Sequence, residues 1–215
     1  MMRVSGSLPM TVILSLAAMH AEADRVVIYV IDSEQTRITF NWTYMGITSP
    51  TASFRKAGGY IYANLDNPDE SWAEVSIPVS SLKTFMPAID RQLLESGHFF
   101  RPREYPEMYF RSNGMMHVDR DERTFSLVGS LTVNGITRPV ILNARAVGVG
   151  TNPFAGNGSS AGLAATTSFR RSEFGMNRML GVIGDVLRVS LHVHAVEKSR
   201  LELPAKAESG ELVLQ

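Results

Sequence analysis

Gly129-Ser-Leu-Thr-Val-Asn-Gly-Ile-Thr-Arg-Pro-Val-Ile-Leu142 reads as a strand, a two-residue turn and a second strand. On the way in, Leu127, Leu131 and Val133 alternate with Val128, Ser130 and Thr132, the period of a strand with one apolar and one polar face. Asn134-Gly135 follows, the pair that best tolerates positive φ at both central positions of a type I′ turn. Val140, Leu142, Ala144 and Ala146 then resume the alternation. The stretch predicts a long antiparallel hairpin with one apolar face, and that face must be buried.

The same pattern recurs outward along the chain. Val26 to Asp32 is an apolar strand, and Thr36 to Tyr44 places Ile38, Phe40, Trp42 and Tyr44 on one face. Ile47 to Phe54, which carries Thr-Ser-Pro, is a bend or an edge, and Tyr60 to Leu65, Trp72 to Val79, Met108 to Phe110, Gly114 to Val118, Gly162 to Phe169 and Leu187 to Val196 are further strands. Gly58-Gly59 marks a corner and Asp66-Asn-Pro-Asp69 a turn. The one helix expected is Pro87 to Ser96, with Ile89, Leu93 and Leu94 as its apolar stripe and Gly97 as its stop. His98 to Pro106, with two prolines and clustered aromatics, is an ordered loop packed over an opening, and Thr151 to Ala161 is a long mobile loop. Many short strands with one helix give an all-β fold, an antiparallel barrel or sandwich. Closure into about eight strands removes exposed edges.

Composition narrows the function. The 215 residues carry zero formal net charge with scattered basic residues, so there is no electrostatic footprint for nucleic acid and no polybasic membrane patch. The chain has no cysteine, which excludes disulfides, thiolate zinc sites and thiol nucleophiles. Residues 1–23 form a secretory leader: Arg3, an apolar run from Leu8 to Ala18 too short to span a bilayer, and Ala21-Glu22-Ala23 at the cleavage point. Residues 24–198 are then one barrel domain, residues 199–215 a flexible tail, and the compartment the bacterial periplasm. No integral membrane span is expected.

Four segments in register resemble the YceI-like family of bacterial polyisoprenoid-binding, lipocalin-like proteins. They are Tyr29-Val-Ile-Asp32 with the Thr36 to Phe40 strand, Phe99 to Phe110, Leu131 to Val140, and Arg171 to Met176 with Gly181 to Asp185. The resemblance implies an extended eight-stranded antiparallel lipocalin-like barrel, periplasmic export, and a long apolar cavity for a polyisoprenoid or similar lipid such as an isoprenoid quinone. It implies transport or storage rather than a reaction, no metal or other cofactor besides the bound lipid, and, since relatives often pair, a homodimer. Where many relatives carry histidine after the first long strand this chain has Tyr44; for a His-Leu pair on the helix it has Leu93-Leu94; for a glycine before Phe54 it has Ala52. These departures are expected to make the cavity mouth less polar.

Candidate ligand-binding residues are Ile38, Phe40, Trp42, Tyr44, Phe54, Val75, Ile77, Met108, Phe110, Leu131, Leu142, Ala164, Val189 and Leu191. In a generic β protein such faces fill a solid core. Gly162, Ala164, Thr166 and Ser168, small and on one face of a late strand, together with the resemblance, favour a cavity. Asp90, Arg91 and Arg171 are candidates for a head-group contact or the cavity mouth, against a reading as surface ion pairs. His192 and His194 share a face but have no third ligand nearby, so no metal is expected. Ser, His and Asp show no suggestive arrangement, and nothing in the sequence points to acid–base chemistry at His98 or Asp185, so no catalytic residue is assigned. A lipid-modifying enzyme on the same scaffold is the alternative. A barrel embedded in the outer membrane is disfavoured by the scattered aromatics and the polar C-terminus.

Overall fold

The structure is a computed structural model that describes residues 24–151 and 159–198. The leader expected at 1–23, the centre of the loop expected over Thr151 to Ala161 and the tail expected at 199–215 lie outside the described residues.

Eleven strand segments form one antiparallel sheet: β1 (Val26–Ile31), β2 (Arg37–Asn41), β3 (Thr51–Phe54), β4 (Gly58–Asn64), β5 (Trp72–Pro78), β6 (Leu82–Lys83), β7 (Glu107–Asp119), β8 (Thr124–Val133), β9 (Ile136–Thr151), β10 (Ser159–Arg170) and β11 (Val186–Glu197). They amount to eight strands, because three are interrupted. β1 and β2 run along the same neighbour, β11, with Ile31 opposite Ala195 and Arg37 opposite His192. β3 and β4 pair in turn with β2 and β1, and β6 and β5 with β3 and β4. From β5 the sheet proceeds through β7, β8, β9, β10 and β11 and closes on β1. The protein is a closed eight-stranded up-and-down barrel, so the edges that a β protein must otherwise protect are paired.

Each interruption has a local cause. Between β1 and β2 the Asp32 carboxylate accepts from the backbone N–H groups of Glu34 and Gln35, turning the chain aside for five residues. At the start of β4, Gly59 has φ of 136°, and a Cβ there would lie 2.0 Å from the Glu74 carbonyl oxygen. Between β5 and β6 a 3₁₀ turn spans Val79–Ser81.

The decisive hairpin forms as its sequence dictates. Asn134 and Gly135 have φ of 51° and 74°, and β8 pairs with β9 from Val133–Ile136 back to Thr124–Arg145 without a slip. The Asn134 side chain does more than turn. Its amide donates to the carbonyls of Phe99 and Phe174 and its oxygen accepts from the Arg101 N–H, so one buried asparagine ties three connections together.

These connections close one end of the barrel. α1 (Pro87–Glu95) stops at Ser96–Gly97 and buries Leu93. Phe99 and Phe100 follow it into the core, where the Phe100 ring meets Phe54 edge-on at 5.5 Å. The His98 to Pro106 loop is therefore a plug. One sequence expectation changes. Met108 to Phe110 and Gly114 to Val118 are one strand, β7, whose pairing with β8 steps past Asn113 as a bulge. Ile47 to Phe54 contributes only β3, because Tyr44 to Thr48 is a tight turn.

Candidate functional site

The inward face is almost wholly apolar, and it does not fill the barrel. Side chains from every strand surround a cavity of about 280 Å³. Along β11, Leu187, Val189, Leu191 and Val193 all line it, a run of about 20 Å at ~3.3 Å per residue. At the closed end it abuts Phe54, Phe100, Val133 and Met176. At the other end it reaches Leu65 and Val149, both exposed, and so opens to solvent.

Its walls change along the length. The closed half is lined by bulky groups such as Phe40, Phe110, Leu131 and Leu142. Near the open rim, Ala63, Ala73, Ala146, Gly148, Ala161 and Gly162 bring small residues from four strands together, leaving greater girth there. Among the described residues that line it, Tyr29 is the one ionisable side chain. Tyr29 is 6% exposed, and its hydroxyl has no hydrogen-bond partner among the described residues. It stands one row from Ser71, since Tyr29 pairs with Ile61 and Ile61 with Ala73.

The exterior is the complement. Glu74 and Arg111 form an ion pair at 2.6 Å, and Arg145, Arg188 and His192 are exposed. An apolar interior under a charged exterior is the inverse of a barrel embedded in lipid. No helix among the described residues is long and apolar enough to cross a membrane.

A family model described as a YceI-like domain matches residues 29–195, from β1 to β11. The chain belongs to the YceI-like family. It is similar to a UPF0312 protein of Azotobacter vinelandii, 27% identical over 172 residues that cover 79% of this chain and 87% of the relative. A UPF0312 protein of Shewanella sp. strain ANA-3 is 30% identical over 173 residues, again 79% and 87%. Among solved structures, Burkholderia cenocepacia BcnA superposes with a TM-score of 0.66 at 14% identity, covering 76% of this chain and 98% of that one. A polyisoprenoid binding domain from Saccharophagus degradans does so with a TM-score of 0.54 at 12% identity, covering 79% and 98%. At these identities the structural matches speak for the fold.

Within this YceI-like barrel the residues singled out from sequence fall into groups. Ile38, Phe40, Phe54, Val75, Ile77, Met108, Phe110, Leu131, Leu142, Val189 and Leu191 line the cavity. Trp42 does not; it is buried beyond the cavity's closed end, with its ring 5.7 Å from that of Phe40. Tyr44 lies outside altogether, 40% exposed, because β2 ends at Asn41 and Tyr44 opens the turn that bridges to Thr48 and Ile183. Ala164 faces outward. β10 turns Ala161, Leu163, Ala165, Thr167 and Phe169 to the cavity, and Ala164 sits between Arg145 and His192 on the exterior. The parity was legible, since Thr166 and Ser168 share the Ala164 face and are its polar members; reading that face by size instead of polarity pointed it the wrong way.

The three polar candidates are not at the open mouth. Arg171 is 2% exposed and donates to the carbonyls of Gly184, Met176 and Ile183, pinning the connection between β10 and β11 at the closed end. Burial lowers its pKa, only partly offset by Asp185. Asp90 is also buried at that end. Desolvation pushes its pKa up, but the Thr84 hydroxyl and N–H, with Lys83 and Arg55 nearby, hold it below the usual carboxylate value. Arg91 is exposed on α1. The departures at Tyr44, Ala52 and Leu93-Leu94 likewise lie at the closed end, not at the rim. Sequence reading missed Tyr29, Ala63 and Ala73 as wall residues. Tyr29 was detectable, as the partner in parity of Ile31 on the first strand.

His192 and His194 point outward, and His194 Nδ1 stands 3.4 Å from Asp32 Oδ2.

Proposed function

We propose that the protein is a carrier that holds a polyisoprenoid or similar long-chain lipid in the barrel, exported to the periplasm after removal of residues 1–23. The observation that carries this reading is the cavity: elongated, about 280 Å³, open at one rim and lined by apolar side chains from all eight strands. Transfer of each CH₂ from water is worth about 0.8 kcal/mol, so a chain threaded along such a wall gains ample driving force without any hydrogen bond. The small-residue girdle near the rim suits a broader terminal group, and the Tyr29 hydroxyl offers it one neutral hydrogen-bond donor. An interior lined by no carboxylate or imidazole among the described residues supports binding over acid–base chemistry, so the reading includes no catalytic residue and no cofactor. Likeness to a structure described as a polyisoprenoid binding domain supports the choice of ligand class.

The test is extraction of natively purified full-length protein with organic solvent, followed by mass spectrometry. A long apolar molecule in near-stoichiometric amount is expected. Protein that comes out empty, and that takes up no prenol when offered it after delipidation, refutes the reading. Native mass spectrometry of the same sample reads the homodimer expectation directly.

A further inference from the structure

Two connections lie side by side at the closed end of the barrel: residues 42–50 between β2 and β3, and residues 175–185 between β10 and β11. They are stitched together. Tyr44 bridges to Thr48 and Ile183, the Met45 N–H donates to the Val182 carbonyl at 2.8 Å, and the Gly184 N–H donates to the Thr43 carbonyl at 2.7 Å. Trp42 and Met176 anchor the joined loops in the core, but the apolar side chains at their tips are not buried. Met45 is 59% exposed, Ile47 81%, Met179 42%, Leu180 44% and Val182 37%. Met45 and Met179 also sit at positive φ, 53° and 56°, a left-handed backbone that non-glycine residues rarely adopt. Each turn thus holds a long flexible apolar side chain at its apex, where asparagine or glycine would be the unstrained choice.

Charge is distributed to match. Residues 42–50 carry no charged side chain, and residues 175–185 carry Arg178 and Asp185, whose carboxylate is occupied by the Ser172 N–H and hydroxyl. The opposite, open end is acidic: Asp66, Asp69 and Glu70 in the turn before β5, Asp119 at the end of β7, and Asp121 and Glu122 between β7 and β8 outnumber Arg25, Arg120 and Arg123. Near an anionic surface the molecule would orient with the acidic rim away and the loop tips, beside Arg178, toward it.

We propose that the joined 42–50 and 175–185 loops are a docking surface for a lipid bilayer, seating Met45, Ile47, Met179 and Leu180 at the headgroup–acyl boundary with Arg178 among the lipid phosphates. Single apolar side chains on turn apices wedge into a soft phase, whereas a rigid protein partner requires a complementary, closely packed face. The absence of charge from the tips keeps their desolvation inexpensive. The inference stands apart from the identity of the guest in the cavity, and it is tested on delipidated protein.

The chain lacks cysteine, so single-cysteine variants can be labelled at one place only. Ile47→Cys, Leu180→Cys and, at the acidic rim, Asp121→Cys are each coupled to an environment-sensitive fluorophore. Each is then mixed with vesicles of phosphatidylethanolamine and phosphatidylglycerol. A blue shift at positions 47 and 180 with none at 121 is expected, together with flotation of unlabelled protein with the vesicles. The Ile47→Ser/Leu180→Ser double variant, whose positions are exposed and whose thermal unfolding should match the parent, is expected to lose at least about tenfold in vesicle partitioning. Failure to float, or an equal shift at all three positions, overturns the proposal. So does a shift at position 47 that appears without vesicles and grows with protein concentration, which would mean that a second copy covers the loops.

Discussion

Ala165→Phe separates a ligand tube from a solid core. Ala165 is 4% exposed, lies mid-barrel between Ala144 and Leu191 on the flanking strands, and faces the cavity. A phenyl ring occupies about 150 Å³ of cavity, more than half of the roughly 280 Å³ present. At about 30 Å³ per methylene-sized group the ring displaces about five chain carbons. At ~0.8 kcal/mol each that is roughly 4 kcal/mol, near a thousandfold in Kd. Stability moves the other way. In a filled core the added ring would cost about 1–3 kcal/mol by overpacking. In an empty tube it buries itself against Phe110, Leu127 and Leu142, and the delipidated variant should be as stable as the parent or more so, by up to about 2 kcal/mol. The assay pairs lipid yield by extraction and mass spectrometry with thermal unfolding of delipidated protein. Expected are loss of the lipid and a Tm unchanged or raised by a few degrees. A normal lipid load, or a delipidated variant that melts several degrees lower, would refute the reasoning.

Other outcomes follow from the same geometry. Arg171→Met leaves three buried carbonyls without their donor and should cost on the order of 3–5 kcal/mol, read by urea unfolding; an effect under about 1 kcal/mol would mean that water replaces the guanidinium. Asn134→Ala removes the links to Phe99, Phe174 and Arg101 along with a residue suited to positive φ; a loss of roughly 2–4 kcal/mol is expected, with the first hydrogen-exchange losses in the plug. Asp90 titrates below its unfolded value, so the stability it confers is fully present above about pH 4 and drains away as pH falls through its depressed folded-state pKa. Asp90→Asn should therefore flatten the acid limb of a Tm–pH profile and leave its slope near neutrality unchanged. Tyr29→Phe should weaken a prenol about 2- to 10-fold while leaving a plain hydrocarbon of equal length unaffected, by competition against a fluorescent lipid.

The fold was readable because two local signals agree with the global one. Period-two alternation set the inner faces of β2, β7, β8, β9 and β11, and the Asn-Gly turn set the register of the hairpin. What stayed hidden is what alternation does not encode. The bulge past Asn113 shifts one strand against its neighbour without any break in composition, so β7 looked like two strands. Arg171 and Asp90 looked like surface charges because nothing in a one-dimensional string says that three carbonyls, or a threonine hydroxyl and amide, will converge on them. Which end of the barrel is open was equally illegible. The polar candidates and the family departures were placed at a mouth, and all of them stand at the plug.

That misplacement has a physical consequence. Tyr44, Ala52 and Leu93-Leu94, the positions where the sequence resemblance leads one to expect histidine, glycine and a His-Leu pair, surround the closed end in this chain. Each substitution removes a titratable or flexible group and adds apolar surface. Ala52 is buried, 1% exposed, and Leu93 is buried against the core, so they tighten the plug. Tyr44 instead opens the turn that lifts Met45 and Ile47 into solvent. A plug that only sealed the barrel would gain nothing from apolar side chains on its outer surface, which carry a solubility cost. A plug that also rests against lipid would, and the same end of the molecule would then be apolar on both sides. Tyr44→His tests this directly. It should leave thermal stability at pH 7 within about 0.5 kcal/mol, since the side chain is half-exposed. On vesicles of zwitterionic phosphatidylcholine alone, where an imidazolium gains no anionic partner and only resists desolvation, it should also make flotation fall as pH drops through the imidazole range near 6.5, more steeply than for the parent. A parent whose flotation has the same pH dependence would sink the argument.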